Sequence, residues 1–133
     1  TRWQPIGLTG CHATAHADLE GLDVRLVIDT GSDTAVTLRD DVPGLPALLA
    51  GRRLQRVQVS GAAQSLWTRL GTFERFALGG TSLGPAEVMI YPEEPERVIA
   101  RYSDGLIGIP AFRGKILLLD YPHRRIAVID ALR

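Results

Sequence analysis

The chain has 133 residues, 45% of them apolar and 23% charged, which fits one ordinary globular domain able to bury a core without staples. Its 15 basic and 15 acidic residues balance, which argues against nucleic acid or a charged membrane surface as a partner. The longest apolar runs are a few residues, too short for membrane insertion, and the single cysteine, Cys11, excludes an internal disulfide.

The chain opens at Thr1 with neither an initiator Met nor a signal-like segment, and is read as a processed form or an excised domain. Thr1 to Gly10 is rich in turn formers and has no period, so residues 1–10 are taken as an N-terminal arm and 11–133 as the domain. From Cys11 to Leu19 the residues alternate, with Cys11, Ala13, Ala15, Ala17 and Leu19 on one side and His12, Thr14, His16 and Asp18 on the other. That period of two predicts a strand. Glu20-Gly21-Leu22-Asp23 turns the chain, and Val24 to Ile28 returns as the second strand of a hairpin.

Cys11, His12 and His16 invite a metal reading, because His12 and His16, four apart, would share a helix face and Cys11 adds a soft ligand. On a strand the two histidines stand about 13 Å apart and cannot share an ion. The expectation is therefore no metal here, with two solvent-facing histidines beside a small buried thiol.

The second strand ends abruptly. Leu26-Val27-Ile28 runs straight into Asp29-Thr30-Gly31-Ser32-Asp33-Thr34, so a carboxylate stands at the tip of a core strand. Such a placement is costly unless the acid is paired or used. Gly31 permits a tight turn, and Thr30 and Ser32 supply hydroxyls. On these letters alone an Asx-type turn would suffice.

Ala35-Val36-Thr37-Leu38 predicts a third strand. Asp41-Val42-Pro43 opens a short helix, with Pro46 in its first turn and Ala47 to Ala50 carrying it to Gly51. Alternation resumes from Arg52 to Val59, passes a small-residue tip at Ser60–Ser65, and continues through Leu66-Trp67-Thr68-Arg69-Leu70. Phe73 to Leu78 is predicted as a further strand, Gly79-Gly80-Thr81 as its turn, and Leu83 to Tyr91 as the return. Glu93, Glu94 and Glu96 sit at the solvated start of a short helix, Pro95 to Tyr102, since acids favour the first turn. Asp104-Gly105-Leu106-Ile107-Gly108 then sets two apolar residues between two glycines. Pro110 suits the first turn of a brief helix ending at Phe112 or Arg113. Lys115 to Tyr121 is predicted as a buried strand, and Arg125 to Asp130 closes the chain.

The Asp29-Thr30-Gly31-Ser32 loop and the downstream Gly105-Leu106-Ile107-Gly108 stretch, in this order and spacing, resemble the retropepsin-like aspartic peptidases. The likeness extends over about Ala13 to Ile129. It implies an all-β fold, mainly β with one or two short helices, in the form of an acid-protease barrel with one lobe per chain. It implies Asp29 as the catalytic acid/base, with Thr30, Gly31 and Ser32 forming the active-site loop. Thr30 would tie two loops together, Gly31 would offer its backbone to substrate, and Ser32 would hydrogen-bond the carboxylate. The downstream stretch would buttress the acid, with Ile107 at the substrate, and the hairpin tip carrying Gly61 and Ala62 would be the flap.

The resemblance has gaps. The pepsin-like branch keeps a tyrosine on its flap; Trp67 stands here as a candidate cover, with core or dimer packing an equal alternative. Asp33 falls where retropepsins hold substrate main chain, but the arginine that pairs with it in the viral enzymes is Ile109 here. Arg113 is the available substitute.

Two carboxylates are needed for this chemistry, and the sequence carries one copy of the motif. The expectation is a homodimer that hydrolyses a peptide or protein substrate without a cofactor, each chain contributing Asp29 across a two-fold axis. The alternatives are a non-catalytic dimerisation or peptide-binding module, and one lobe of a larger bilobal protease. Asp104 and Asp120 are read as turn or pairing residues, and His123 as exposed. Ser65 and Ser103 lack the context of an activated serine. Bacterial relatives of this shape, often joined to envelope-directed proteins, suggest an extracytoplasmic site.

Overall fold

The structure, a computed structural model, describes residues 2–60, 65–92 and 103–131. Alternation from His12 to Leu19 and Leu22 to Ile28 becomes the hairpin of β3 (His12–Leu19) and β4 (Leu22–Ile28). Its two-residue turn places Glu20 at φ 49° and Gly21 at φ 94°. Left-handed values at both centres suit the right-handed twist of the flanking strands. Ala13, Ala15, Ala17 and Leu19 face inward as the period predicts, while His12 and His16 are exposed. Cys11 is exposed as well, contrary to the buried thiol expected of it, because β3 begins one residue later and Cys11 belongs to the turn.

Residues 3–9, which show no period, are ordered by their partners rather than by their own pattern. β1 (Trp3–Pro5) pairs with the last strand, and β2 (Gly7–Thr9) pairs with β3. β5 (Val36–Arg39) follows the acid loop, and the short helix α1 (Leu45–Leu49) docks Leu45 and Leu49 into the core. β6 (Gln55–Ser60) and β7 (Ser65–Leu78) form the long hairpin. The runs Leu66–Leu70 and Phe73–Leu78, expected as separate strands, are one strand of 14 residues. β8 (Thr81–Tyr91), β9 (Gly105–Ile107), a 3₁₀ turn (Ile109–Phe112), β10 (Lys115–Asp120) and β11 (Arg125–Asp130) complete the order. The expected helix over 95–102 and the hairpin tip at 61–64, with Gly61 and Ala62, lie outside the described residues.

Eight strands form one sheet in the order β2-β3-β4-β9-β5-β8-β7-β6, and β3 also pairs with β7 through Ala17↔Leu78, Asp18↔Ala77 and Leu19↔Phe76. That extra pairing closes β3, β4, β9, β5, β8 and β7 into a barrel. Leu19, Leu26, Leu38, Phe73, Phe76, Ile90, Ile107 and Ile126 are buried in its core. The remaining sheet, β1-β11-β10, gathers both ends of the chain. Its edge strand β10 is only half covered: Leu117 and Leu119 pack on the core, but Ile116 is 42% exposed. The buried strand expected at 115–121 is therefore an edge strand with one open face.

Polar ties join elements that the barrel leaves apart. Arg52 donates to Glu20 at 2.7 Å and to the Thr72 carbonyl at 3.1 Å, and its guanidinium lies 3.9 Å from the Phe73 ring centre. Glu20 also accepts from the Glu74 amide at 2.9 Å. The Arg52 hydrogen bond holds the Glu20 carboxyl below its usual value, against the opposing effect of burial. No described helix is long and apolar enough to cross a membrane.

Candidate active site

The acid loop is positioned by β9, which lies between the two strands that the loop connects. β9 runs parallel to β4, with Val27↔Leu106 and Ile28↔Ile107, and antiparallel to β5, with Val36↔Ile107 and Leu38↔Gly105. The loop from Asp29 to Ala35 therefore passes over the C-terminal end of β9. Two amide hydrogen bonds tie its ends down: the Asp29 N–H donates to the Ile107 carbonyl at 2.9 Å, and the Gly108 N–H donates to the Ala35 carbonyl at 2.9 Å.

This crossing explains the two glycines. A Cβ on Gly105 would stand 1.8 Å from the Thr37 carbonyl oxygen, and one on Gly108 would stand 2.3 Å from that of Thr34 and 2.8 Å from that of Ser32. The obstructing atoms are backbone, so no rotamer change can relieve them. The sequence pattern Gly-apolar-apolar-Gly is thus the imprint of β9 threaded beneath the loop.

Within the loop, the Gly31 N–H donates to Asp29 Oδ1 at 3.0 Å and the Ser32 N–H to the Asp29 carbonyl at 3.1 Å. Asp29 itself is half-buried, while Thr30 and Gly31 are exposed. Ser32 does not bond the carboxylate as the resemblance implied. Its hydroxyl donates to the Thr34 carbonyl and accepts from the Thr34 N–H, both at 3.3 Å, so it braces the loop's own backbone. Asp33 is exposed; its carboxylate accepts from the Thr34 hydroxyl at 3.5 Å and makes no ion pair among the described residues, with Arg113 or any other cation.

Ile107 is fully buried in the barrel core, so its side chain cannot reach a substrate from within this chain. Its neighbour Leu106, turned to the other face of the same short strand, is the half-buried one. Strand parity around Gly105 and Gly108 carried that signal. Asp104, read as a turn residue, is a bracket: its carboxylate accepts from the Arg25 N–H at 2.8 Å, its N–H donates to the Arg25 carbonyl at 2.7 Å, and its carbonyl accepts from the Arg39 N–H at 3.1 Å. It joins β4 and β5 immediately ahead of β9. Asp120 pairs with Arg125 at 2.7 Å and with His123 at 3.0 Å, as expected of a pairing residue.

The β6–β7 hairpin has two unlike faces. Directly opposed partners share a face, so Val57 with Thr68 and Val59 with Leu66 make the apolar side. Gln58 with Trp67 and Arg56 with Arg69 make the other. Trp67 is 55% exposed and stacks with the Arg56 guanidinium, 4.6 Å from the ring centre. It does not join the core, and through Arg69↔Ile90 and Gly71↔Val88 its face of the sheet runs on into the barrel interior.

A closed β barrel with an acid loop draped over a Gly-Leu-Ile-Gly strand defines a retropepsin-like fold. The crystal structure of a retropepsin-like aspartic protease from Rickettsia conorii matches it with a TM-score of 0.65, over 97% of this chain and 99% of that one, at 14% identity. The sequence profile of the aspartyl protease family matches residues 15–111, and the chain belongs to that family. No curated protein matches it in sequence.

Proposed function

We propose that the chain is an aspartic endopeptidase that acts as a homodimer, with the Asp29 carboxylates of two copies meeting on a two-fold axis. The observation that carries this reading is the single acid loop, fixed at both ends by β9, with the Asp29 carboxylate half-buried within it. Two carboxylates about 3 Å apart cannot both ionise and therefore share a proton. The ionised one takes a proton from a water molecule, whose oxygen attacks the peptide carbonyl carbon. The protonated one gives its proton to the carbonyl oxygen. Collapse of the tetrahedral intermediate with proton transfer to nitrogen then breaks the C–N bond.

Thr30 and Gly31 are exposed, which supports their meeting the partner loop and the substrate backbone. The β6–β7 hairpin would close over the peptide, with Gly61 and Ala62 at its tip and Trp67 as a candidate cover, and a lid of this kind excludes water. Leu106 takes the substrate-facing part once given to Ile107, and Asp33 remains free to bind substrate main chain. The half-open face of β10, with Ile116, supports pairing with a second copy.

The test is Asp29→Asn. Cleavage of a diverse peptide library should stop while sedimentation still finds a dimer. Turnover persisting in that variant would remove the acid from the reaction. An inactive, strictly monomeric wild-type chain would favour one lobe of a larger protease instead.

A further inference from the structure

β9 spans Gly105–Ile107, so only Leu106 and Ile107 bring side chains of any size to its neighbours. At Gly105 it runs so close to β5 that a Cβ would stand 1.8 Å from the Thr37 carbonyl oxygen. An approach that tight persists only where the strands are held together. At the exit of β9 the holding bonds are those of the Asp29 and Gly108 N–H groups. These belong to the acid loop itself, so they couple the loop to β9 without placing the two within the barrel.

The entry end is independent of the loop, and it is gripped from both sides. From β4, the Arg25 N–H donates to the Asp104 carboxylate at 2.8 Å, and the Arg25 carbonyl accepts from the Asp104 N–H at 2.7 Å. From β5, the Arg39 N–H donates to the Asp104 carbonyl at 3.1 Å, and the Arg39 guanidinium donates to the Ser103 carbonyl at 2.9 Å. Arg25 stands just before the first paired position, Leu26↔Gly105, so a side chain rather than a backbone carbonyl takes its N–H.

The ordinary use of such an acid is to satisfy one stray strand N–H. That use accounts for the Arg25 bond alone. It does not account for a residue tied to both of the strands between which the acid loop is strung, directly ahead of the strand that carries that loop.

We infer that Asp104 is a positioning residue for Asp29: by holding the Arg25 N–H, its carboxylate locks the entry of β9 between β4 and β5 and so sets where the acid loop sits. The acceptor oxygen matters and the charge does not, since no cationic side chain pairs with Asp104 among the described residues. The kinetic consequence rests on the peptidase function proposed above; the mechanical one does not.

Amide hydrogen exchange of the full chain, followed residue by residue, tests the lock without turnover. In Asp104→Ala, exchange should quicken about tenfold or more at the Arg25 N–H and, through β9, at the Asp29 and Gly108 N–H groups, with the β10–β11 amides unchanged. In peptide cleavage, kcat per folded chain should fall about tenfold or more, with KM changed far less, because a small misplacement of the acid is costly. Asp104→Asn keeps an acceptor and should bring both readouts back to within about threefold of wild type. Asp104→Leu replaces the alanine variant should that fold poorly. Phe76→Leu, a core change at the β3–β7 seam, should lower the thermal midpoint and leave kcat per folded chain unaltered. An equal fall in kcat there would make the Asp104 effect one of stability and overturn the inference. Wild-type protection of the Asp29 and Gly108 amides in Asp104→Ala would overturn it too, as would an asparagine variant no better than alanine. A wild-type chain without turnover would instead remove the peptidase function, and the exchange rates alone would then decide the role of Asp104.

Discussion

An alanine at position 108 would bring its Cβ to 2.3 Å from the Thr34 carbonyl oxygen and 2.8 Å from that of Ser32. Both are backbone atoms of the acid loop, so the loop itself must lift. Overpacking of this kind costs about 1–3 kcal/mol, and here the displaced atoms belong to the segment that holds Asp29. Gly108→Ala should therefore lower stability in urea by that amount and reduce peptide cleavage far more than the fraction unfolded explains. Cleavage at the wild-type rate by the folded variant would show that the loop tolerates the shift. Ser32 makes the opposite case. Among the described residues its hydroxyl bonds only Thr34, so Ser32→Ala should cost about 1 kcal/mol and leave turnover within a few-fold, measured by the same melts and assay. A large loss would return the hydroxyl to the carboxylate. The acid loop was legible only together with the downstream Gly105–Gly108 stretch, since the tetrapeptide alone fits an ordinary turn; the direction of the hydroxyl was not legible, since serine reaches its own backbone two residues on as readily as a neighbour.

Elements were legible where burial alternates along them and illegible where a partner decides. The β3–β4 hairpin could be read from its alternation, although its turn is Glu20 and Gly21 alone, with Leu22 and Asp23 already paired in β4. β1 and β2 could not, because three-residue strands take their order from β11 and β3. Gly71 lies between the two runs expected as separate strands. In the fold it is a buried strand residue whose Cβ would stand 2.5 Å from Leu54 Cδ2, so its role is close approach rather than a turn. The tie between the β3–β4 turn and Arg52 was also hidden, since 32 residues separate the partners. It carries a pH signature. In the unfolded chain Glu20 takes up its proton near 4.5, whereas in the fold the Arg52 hydrogen bond delays protonation to lower pH. The contribution is complete above 4.5 and is lost as pH falls through the depressed folded value. Glu20→Gln should thus cost about 1.5–3 kcal/mol near neutrality, the range for a hydrogen bond to a charged group, and less as the medium is acidified below 4.5. Urea melts of both proteins from pH 7 to pH 3 check this; a gap that stays constant would assign the loss to packing.

For the whole molecule, the deciding quantity is how many chains make one active site. No second acid hydrogen-bonds the Asp29 carboxylate among the described residues, and the terminal sheet leaves Ile116 42% exposed on an edge strand. If the site forms only between copies, subunits exchange and activity depends on who pairs with whom. Asp29→Asn chains, added in about threefold excess and equilibrated, would leave only about a quarter of wild-type chains facing a wild-type partner under random pairing. Turnover per wild-type chain should then fall about fourfold, and simple dilution should lower it as well, because the dimer dissociates by mass action. The thermal midpoint should rise with protein concentration for the same reason. Addition of an inert protein instead of Asp29→Asn controls for crowding and adsorption. If turnover ignores both the excess variant and dilution, one chain is sufficient; the shared proton between two Asp29 carboxylates then has no place in the chemistry, and the acid must find its counterpart within its own barrel.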